Sequence, residues 1–428
     1  MPHSFDILRG RSLVEALGDE SRYDRQLDRL AARARGRRLE TLVHDGVRFA
    51  QMMQERERVV SLLARAMVDA SFRPGAPRVT RARIGGKERD VARIGAIDLL
   101  AGAVVAEILA ERIEPTLSDR LYSYRRGRSS WQALRSLAAF ARAHRAARPD
   151  PRTRGIYVLR SDVASYTDSI PLGEGSLLLR ELDEAIEVPP SHVAMLHALV
   201  APRETGLLFG APTTNVLGNL YLRSLDAKLE KEGAYARYGD DVLFAHEDPA
   251  RVREALAILK DTLAVRGLRA NEKKLRVLYW NGAARASREW PEAIATTDVP
   301  FLGACVRFRG TIALAPAKWT ALLGELRARV RRTARLAEEA TPKGRAKLLA
   351  SVVNQAFDVR SDLALPHAGL VARLVDDRAQ LGELDYWIAR MIAESSGDAR
   401  GVRAFREMPW HTQRRLGLAS RVRVRNEA

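Results

Sequence analysis

Residues 234–247, AYARYGDDVLFAHE, set two adjacent aspartates between two short apolar stretches. Ala234 to Tyr238 and Val242 to Ala245 each read as buried strand, so the pattern predicts a hairpin that reverses at Gly-Asp. A turn is the commoner use of such a pair. The charge opens a second reading: side-by-side carboxylates repel, and at a strand turn they are costly unless a cation neutralises them. These letters alone favour the turn and keep the metal as its rival.

The chain has 428 residues and 46% hydrophobic content, enough for two or three packed domains. Lys plus Arg number 71 against 53 Asp plus Glu, a net charge of +18 that draws the chain towards a polyanion. Nucleic acid is the commonest polyanion and a membrane surface the competing one. No apolar run reaches the ~18–20 residues that would span a bilayer. The start, MPHSFDILRGRS, has no basic-then-apolar leader pattern, so the expected location is cytoplasmic. The single cysteine, Cys305 in FLGACVRF, excludes an intrachain disulfide and a Cys-cluster zinc site, and reads as a core residue. No Gly-rich phosphate loop ending in Gly-Lys-Ser/Thr is present.

Working outward, residues 1 to about 75 are charge-rich with helical patterning. Pro74, Gly75 and Pro77 then break the helix, and a Gly85-Gly86 reversal joins two β-like arms carrying Arg81, Arg83, Lys87, Arg89 and Arg93. AIDLLAGAVVAEILAERI (96–113) predicts a helix, LYSYRRGRSS (121–130) a basic loop followed by a helix, and GIYVLRSDV (155–163) a strand ending on Asp162. Helices are expected at 220–231 and 249–268, the latter stopped by Gly267. From about 312 onward the patterning is all-helical, apart from a strand-like RVRVR near the end. In the helix at 323–335 an apolar stripe of Leu323, Leu326 and Val330 accompanies Arg327, Arg331 and Arg335 on another face. Such a charge run is usually a solvated face, and otherwise a track for a nucleic-acid backbone.

Asp162 alone reads as a helix N-cap. Its order along the chain changes the reading: strand with Asp162, loop and helices, then strand, Asp240-Asp241, strand. A ferredoxin-like βαββαβ sheet sets the end of its first strand beside such a hairpin. Three carboxylates converging there fit Mg²⁺, which takes one or two carboxylates and completes its shell with phosphate oxygens and water.

SDVASYTDSI, TGLLFGAPTTNVLGNLYLRSLD, YGDD, GLRANEKK and VPFLG resemble, in order, the palm motifs of reverse transcriptases. Upstream, GGKERDVARIGAIDLL and YSYRRGRSSWQAL resemble the fingers motifs of the bacterial branch, which includes group II intron, retron and phage-defence enzymes. The resemblance covers roughly residues 78–310. It implies an α+β right-hand polymerase with a ferredoxin-like palm, fingers, and an all-helical thumb and C-terminal region. The expected divisions are an N-terminal helical extension at 1–77, fingers at 78–155, a palm at 156–310 with an insertion near 171–205, and thumb helices at 311–428.

The implied activity is RNA-directed DNA synthesis from dNTPs with two Mg²⁺ ions (or Mn²⁺), on an RNA template that in some defence systems is a dedicated noncoding RNA, with a DNA product. An antiviral role is the implied biology. No membrane partner is expected, and self-association stays open. By resemblance, Asp162, Asp240 and Asp241 hold the metals with the carbonyl of Val163, and Lys274 protonates the leaving pyrophosphate. Arg83 and Arg89 clamp the triphosphate with forked guanidinium groups. Gly210, Pro212, Thr213 and Asn219 belong to the segment that packs against template and incoming base. Tyr238 meets the primer end, Gly303 of FLG belongs to the primer grip, and Tyr124, Arg125, Gly127 and Arg128 approach the template. Arg327, Arg331 and Arg335 track the duplex.

The pattern is departed from in places. The aromatic that blocks a 2′-hydroxyl falls on Thr167, with Tyr166 one residue earlier, so ribonucleotides are admitted unless Tyr166 takes over. Leu208, Thr214 and Thr205 replace a usual proline, serine and glutamine. Two rival functions are a template-independent or RNA-synthesising polymerase of the same fold and a non-catalytic RNA-binding scaffold.

Overall fold

The computed structural model describes residues 12–34, 46–84, 87–148 and 155–422, without the side chains of Ile84, Lys87 and Arg89. Its strands are β1 (Arg78–Ile84), β2 (Lys87–Arg93), β3 (Ile156–Ser161), β4 (Ala234–Tyr238), β5 (Asp241–His246), β6 (Arg276–Trp280), β7 (Ile294–Thr296), β8 (Asp298–Phe301), β9 (Ala304–Arg307) and β10 (Ile312–Leu314). β1 and β2 form a separate antiparallel ribbon; the Gly85-Gly86 reversal lies outside the described residues. β3 to β6 stand in one sheet of order β4-β5-β3-β6-β7, whose first four members have the order of a ferredoxin-like βαββαβ unit. β7 is added parallel to β6. Helices and sheet are mixed, as the resemblance implies for a palm.

The chain divides into two compact units, Met1–Ser129 with Leu159–Arg276, and Ser130–Val158 with Val277–Ala428, so the division falls inside β3 and β6. In the first unit the helix Ala96–Ile113 is apolar nearly all round and buries both its Leu/Ile/Val positions and its small ones. It packs against the helices Glu20–Arg33, Leu177–Ile186 and Thr214–Tyr221. The helix Pro249–Val265 covers β5 and ends at Gly267, whose φ of +67° is the left-handed stop that glycine adopts without strain.

In the second unit β8, β9 and β10 form an antiparallel meander. The helices Pro316–Leu336, Pro342–Phe357 and Pro366–Leu374 each open on proline, where the missing N–H costs nothing. With Arg378–Ser396 they enclose a core that includes Leu322, Leu326, Val330, Val353, Ile388 and Ile392.

Four expectations are corrected. Residues 312–314 are a strand, because Ile312, Ala313 and Leu314 complete the meander by pairing with β9. Leu322, not Leu323, is the fully buried member of the apolar stripe, which leaves Leu323 half-buried at its margin. Cys305 is half-buried on β9, where side chains alternate between the two faces. At the end, Arg421 and Val422 are helical, and residues 423–428 lie outside the described residues.

Candidate active site

Tyr238 pairs with Asp241, so β4 and β5 are joined by the two-residue turn Gly239-Asp240. Gly239 has φ +64°, the positive value that the first position of a II′ hairpin turn demands. The turn predicted at 239–241 is therefore real, with Asp240 at its tip and Asp241 opening β5.

Both polar groups of Gly239 are fastened. Its N–H donates to Ser123 Oγ (2.8 Å), and its carbonyl accepts from Arg237 Nη1 (3.0 Å). Arg237 is fully buried at 0% exposure, as is Asp226. Arg237 Nε and Nη2 fork onto the two Asp226 oxygens at 2.6 Å each, Tyr235 Oη donates to Oδ1 at 2.6 Å, and Nη2 also reaches the Asn219 carbonyl at 3.2 Å. Ser123 is held in turn by Asn219, whose Nδ2 donates to the Ser123 carbonyl at 2.9 Å. The tip that carries Asp240 thus stands on a closed polar network in which each charge has its partner.

Asp162 directly follows β3 and is buried at 6% exposure. Its carbonyl accepts from Asn271 N–H (2.9 Å), and Val163 bridges to Ala270. Asp162 caps no helix: the first helical turn beyond it, Tyr166–Ser169, has Ser165 at its cap position. Lys274 Nζ donates to Asp162 Oδ2 and is ion-paired with it, which holds the ammonium in its charged form above its ordinary range. Asp162 Oδ1 is buried and has no hydrogen-bond partner among the described residues.

Asp241 is pushed up to about 6, first by burial and then by Asp240, with a smaller push from Asp162 and relief from Arg160 on β3. The two observations fit a hard cation, because a partnerless carboxylate oxygen and mutually repelling acids are what such an ion satisfies. Among the described residues no three acidic, His or Cys side chains enclose a cation as they stand, and the Lys274 ammonium occupies one Asp162 oxygen.

A pH dependence follows. A carboxyl raised from 3.8 to about 6 by folding favours the fold when protonated, so its contribution is complete below pH 3.8 and is lost as pH passes 6. With chelator, thermal melts should therefore lose stability between about pH 5 and 7.5 through Asp241. Mg²⁺ should restore it at pH 7.5 and act weakly at pH 5, where protons compete. An equal Mg²⁺ effect at both values contradicts the reading.

The other predicted residues divide. Tyr124, 57% exposed, packs its ring 6.2 Å from that of Tyr238, giving an aromatic pair beside the turn. Tyr166 is buried and donates from its hydroxyl to the Gly218 carbonyl, so burial raises it and the core occupies it; Thr167 stays half-exposed. Gly210 has φ +101° and lies against the Ala92 carbonyl, where Phe209 bridges to Val91 of β2, and Pro212 packs beside Gly102. Thr213 and Asn219 are buried at 2% and 3% exposure, so they shape the site from below. The Arg125 side chain is buried, held by Glu114 (2.7 Å) and the Leu121 carbonyl (3.1 Å), and Arg128 is ion-paired with Asp119. Gly127 has φ +72° in the same loop.

Arg83 is exposed on β1, and the side chain of Arg89 lies outside the described residues. In the second unit Leu302 and Gly303 (φ +50° and +80°) turn β8 into β9, so FLG is a strand end and a turn. Arg327, Arg331 and Arg335 are exposed on the helix Pro316–Leu336.

Residues 100–306 match the family model described as reverse transcriptase (RNA-dependent DNA polymerase). Residues 100–306 are thus similar to a reverse transcriptase domain. The match spans just under half of the chain and contains all three aspartates. Reverse transcriptases use divalent metals.

A comparison with curated proteins gives no match. Among solved structures, telomerase of Candida albicans in complex with a telomeric RNA fragment is 9% identical, with 79% of this chain and 63% of that one covered at TM-score 0.43. Apo telomerase of Candida tropicalis is 9% identical, with 81% and 63% covered at TM-score 0.44. The chain thus spans less than two thirds of these structures' length. Among the described residues no helix is long and apolar enough to cross a membrane.

Sequence reasoning missed Arg160, Ser123 and the Arg237–Asp226 pair. The last had a signal, since an arginine inside the apolar run AYARY demands a buried partner.

Proposed function

We propose that the reverse transcriptase domain extends a DNA primer on an RNA template with dNTPs, and that Asp162, Asp240, Asp241 and the Val163 carbonyl hold two Mg²⁺ ions for the transfer. The observation that carries this reading is the partnerless buried Asp162 Oδ1 in the domain whose hairpin sets Asp240 beside the raised Asp241. Bound there, the ions would activate the primer 3′-hydroxyl and stabilise the leaving pyrophosphate. Lys274 donates a proton to that pyrophosphate from its charged ammonium. Tyr238 and Tyr124 orient the primer end, and the fingers cations Arg83 and Arg89 hold the triphosphate. The Gly210 loop lets the incoming base pair approach backbone closely.

The parts are assigned as an N-terminal extension (1–77), fingers (78–155), palm (156–310) and thumb (311–428), with Arg327, Arg331 and Arg335 on the duplex. On the resemblance of its motifs we place the chain with bacterial retron and phage-defence enzymes, acting in the cytoplasm on a partner RNA. Expressed with its native flanking DNA in a bacterial host, it should lower phage plaque numbers, and Asp240→Asn should abolish that effect.

The biochemical test is primer extension on RNA and DNA templates, with and without chelator. Metal-dependent complementary DNA made on RNA is the expected result; failure to incorporate on any template would sink the proposal. Thr167 supports a weak sugar gate, since Tyr166 is committed to Gly218. Ribonucleotides should therefore be incorporated measurably, and Thr167→Phe should cut the rNTP-to-dNTP ratio about 10-fold or more, within the ~1–3 kcal/mol a pocket-filling change supplies. An unchanged ratio would show that the gate lies elsewhere.

A further inference from the structure

In the second unit, the chain between β6 and β7 forms a loop fixed by two buried polar side chains. Asn281, 7% exposed, accepts from the N–H groups of Ala283 (3.1 Å) and Arg285 (3.0 Å) and donates to the Arg285 carbonyl (2.8 Å). Ser287, 6% exposed, accepts from the N–H groups of Glu289 (3.2 Å) and Trp290 (3.0 Å) and hydrogen-bonds the Tyr157 hydroxyl. The outcome of this polar investment is a single loop conformation that presents Arg285 and Arg288 to solvent.

The rings beside it are fixed as well. Gly155 N–H donates to Tyr279 Oη (2.9 Å), and a Cβ at Gly155 would lie 2.7 Å from that ring. Tyr157 packs against Tyr279 at 4.8 Å and stacks on Trp290 at 6.2 Å.

Tyr157, Tyr279, Asn281 and Ser287 line a cavity of about 1170 Å³, larger than the roughly 300–1,000 Å³ of small-ligand pockets. Phe308 and two further arginines, Arg145 and Arg309, complete its rim. Arg307 is occupied by Asp298 (3.3 Å) and Asp377 (2.8 Å). Arg145, Arg285, Arg288 and Arg309 have no ion pair or side-chain hydrogen bond among the described residues, and Glu289 alone adds a carboxylate outside the Arg307 pairs. Unpaired guanidinium groups around half-buried rings make a stacking platform within a positive funnel.

We propose that this cavity binds a short single-stranded segment of nucleic acid, with phosphates on Arg145, Arg285, Arg288 and Arg309 and a base against Tyr279 or Phe308. None of these residues is in the unit that carries the three aspartates. The residues that hold this strand are other than those assigned to the primer end and the triphosphate.

The test is binding of fluorescent single-stranded RNA and DNA oligonucleotides to the full chain, without nucleotides. Arg285→Gln/Arg288→Gln/Arg309→Gln should weaken binding about 10-fold or more and reduce the slope of log affinity against log salt by about 3. Exposed replacements of this kind change folding stability little. Photocrosslinking by thiouridine-containing RNA should map to residues 279–290 or 308–309 in the unaltered chain and disappear in the triple variant. The relative affinity of the two oligonucleotides identifies the strand. Unchanged affinity and salt slope, or crosslinks that avoid both segments, would overturn the proposal. Because no nucleotide is incorporated in this assay, its failure leaves the polymerase reading standing.

Discussion

Asp162→Asn is expected to lower the single-turnover rate of dNTP incorporation by at least ~10³-fold, about 4 kcal/mol of transition-state stabilisation. The replaced side chain supplies the buried oxygen that has no partner among the described residues, and it anchors the Lys274 ammonium. Asp241→Asn should behave differently. It removes a carboxyl already held near 6 by burial and by Asp240, so the metal-free protein should gain stability, on the order of 1–2 kcal/mol, and melt higher. Its incorporation rate should fall nonetheless. A functional carboxylate cluster is held against electrostatic cost, and this opposite movement of stability and rate is its signature. Asp162→Asn that retains more than about a tenth of the rate would remove that residue from the metal site.

The second large effect concerns Asp226. Asp226→Asn leaves the fully buried Arg237 without a counter-charge, which should cost about 3–5 kcal/mol of folding stability and lower the melting temperature sharply. The double variant Asp226→Leu/Arg237→Met separates packing from positioning. Replacing a buried ion pair by apolar groups of similar volume is often neutral, so most of the stability should return. The hydrogen bond from Arg237 to the Gly239 carbonyl does not return, and incorporation should stay at least about 10-fold below the unaltered protein, because a small displacement at a reacting centre is costly. Recovery of both stability and rate would make the pair a packing device only.

Much of this was legible in the residues. The two apolar runs on either side of Gly239-Asp240 identified the hairpin, because both strands are buried on both faces. The apolar run at 96–113 became a helix of those same bounds, since its length and patterning admit nothing else. Charge repulsion at Asp240-Asp241 correctly flagged an electrostatic problem. What could not be read was tertiary. Arg125 and Asn219 look like ligand-facing polar residues in a linear chain, yet Glu114 and Ser123 take them into the interior. β10 escaped because three residues are too few to show a period. Lys274 is marked in the sequence only by resemblance, and folding alone brings it to Asp162 across more than a hundred residues.

The most direct test of the central claim is a Mg²⁺ titration of single-nucleotide dNTP incorporation on a primed RNA template, run with the unaltered protein and with Asp240→Asn. The account predicts metal-dependent incorporation by the first and a loss of about 10³-fold or more in the second at every Mg²⁺ concentration. Equal rates for the two proteins, or incorporation that survives chelation, would contradict it.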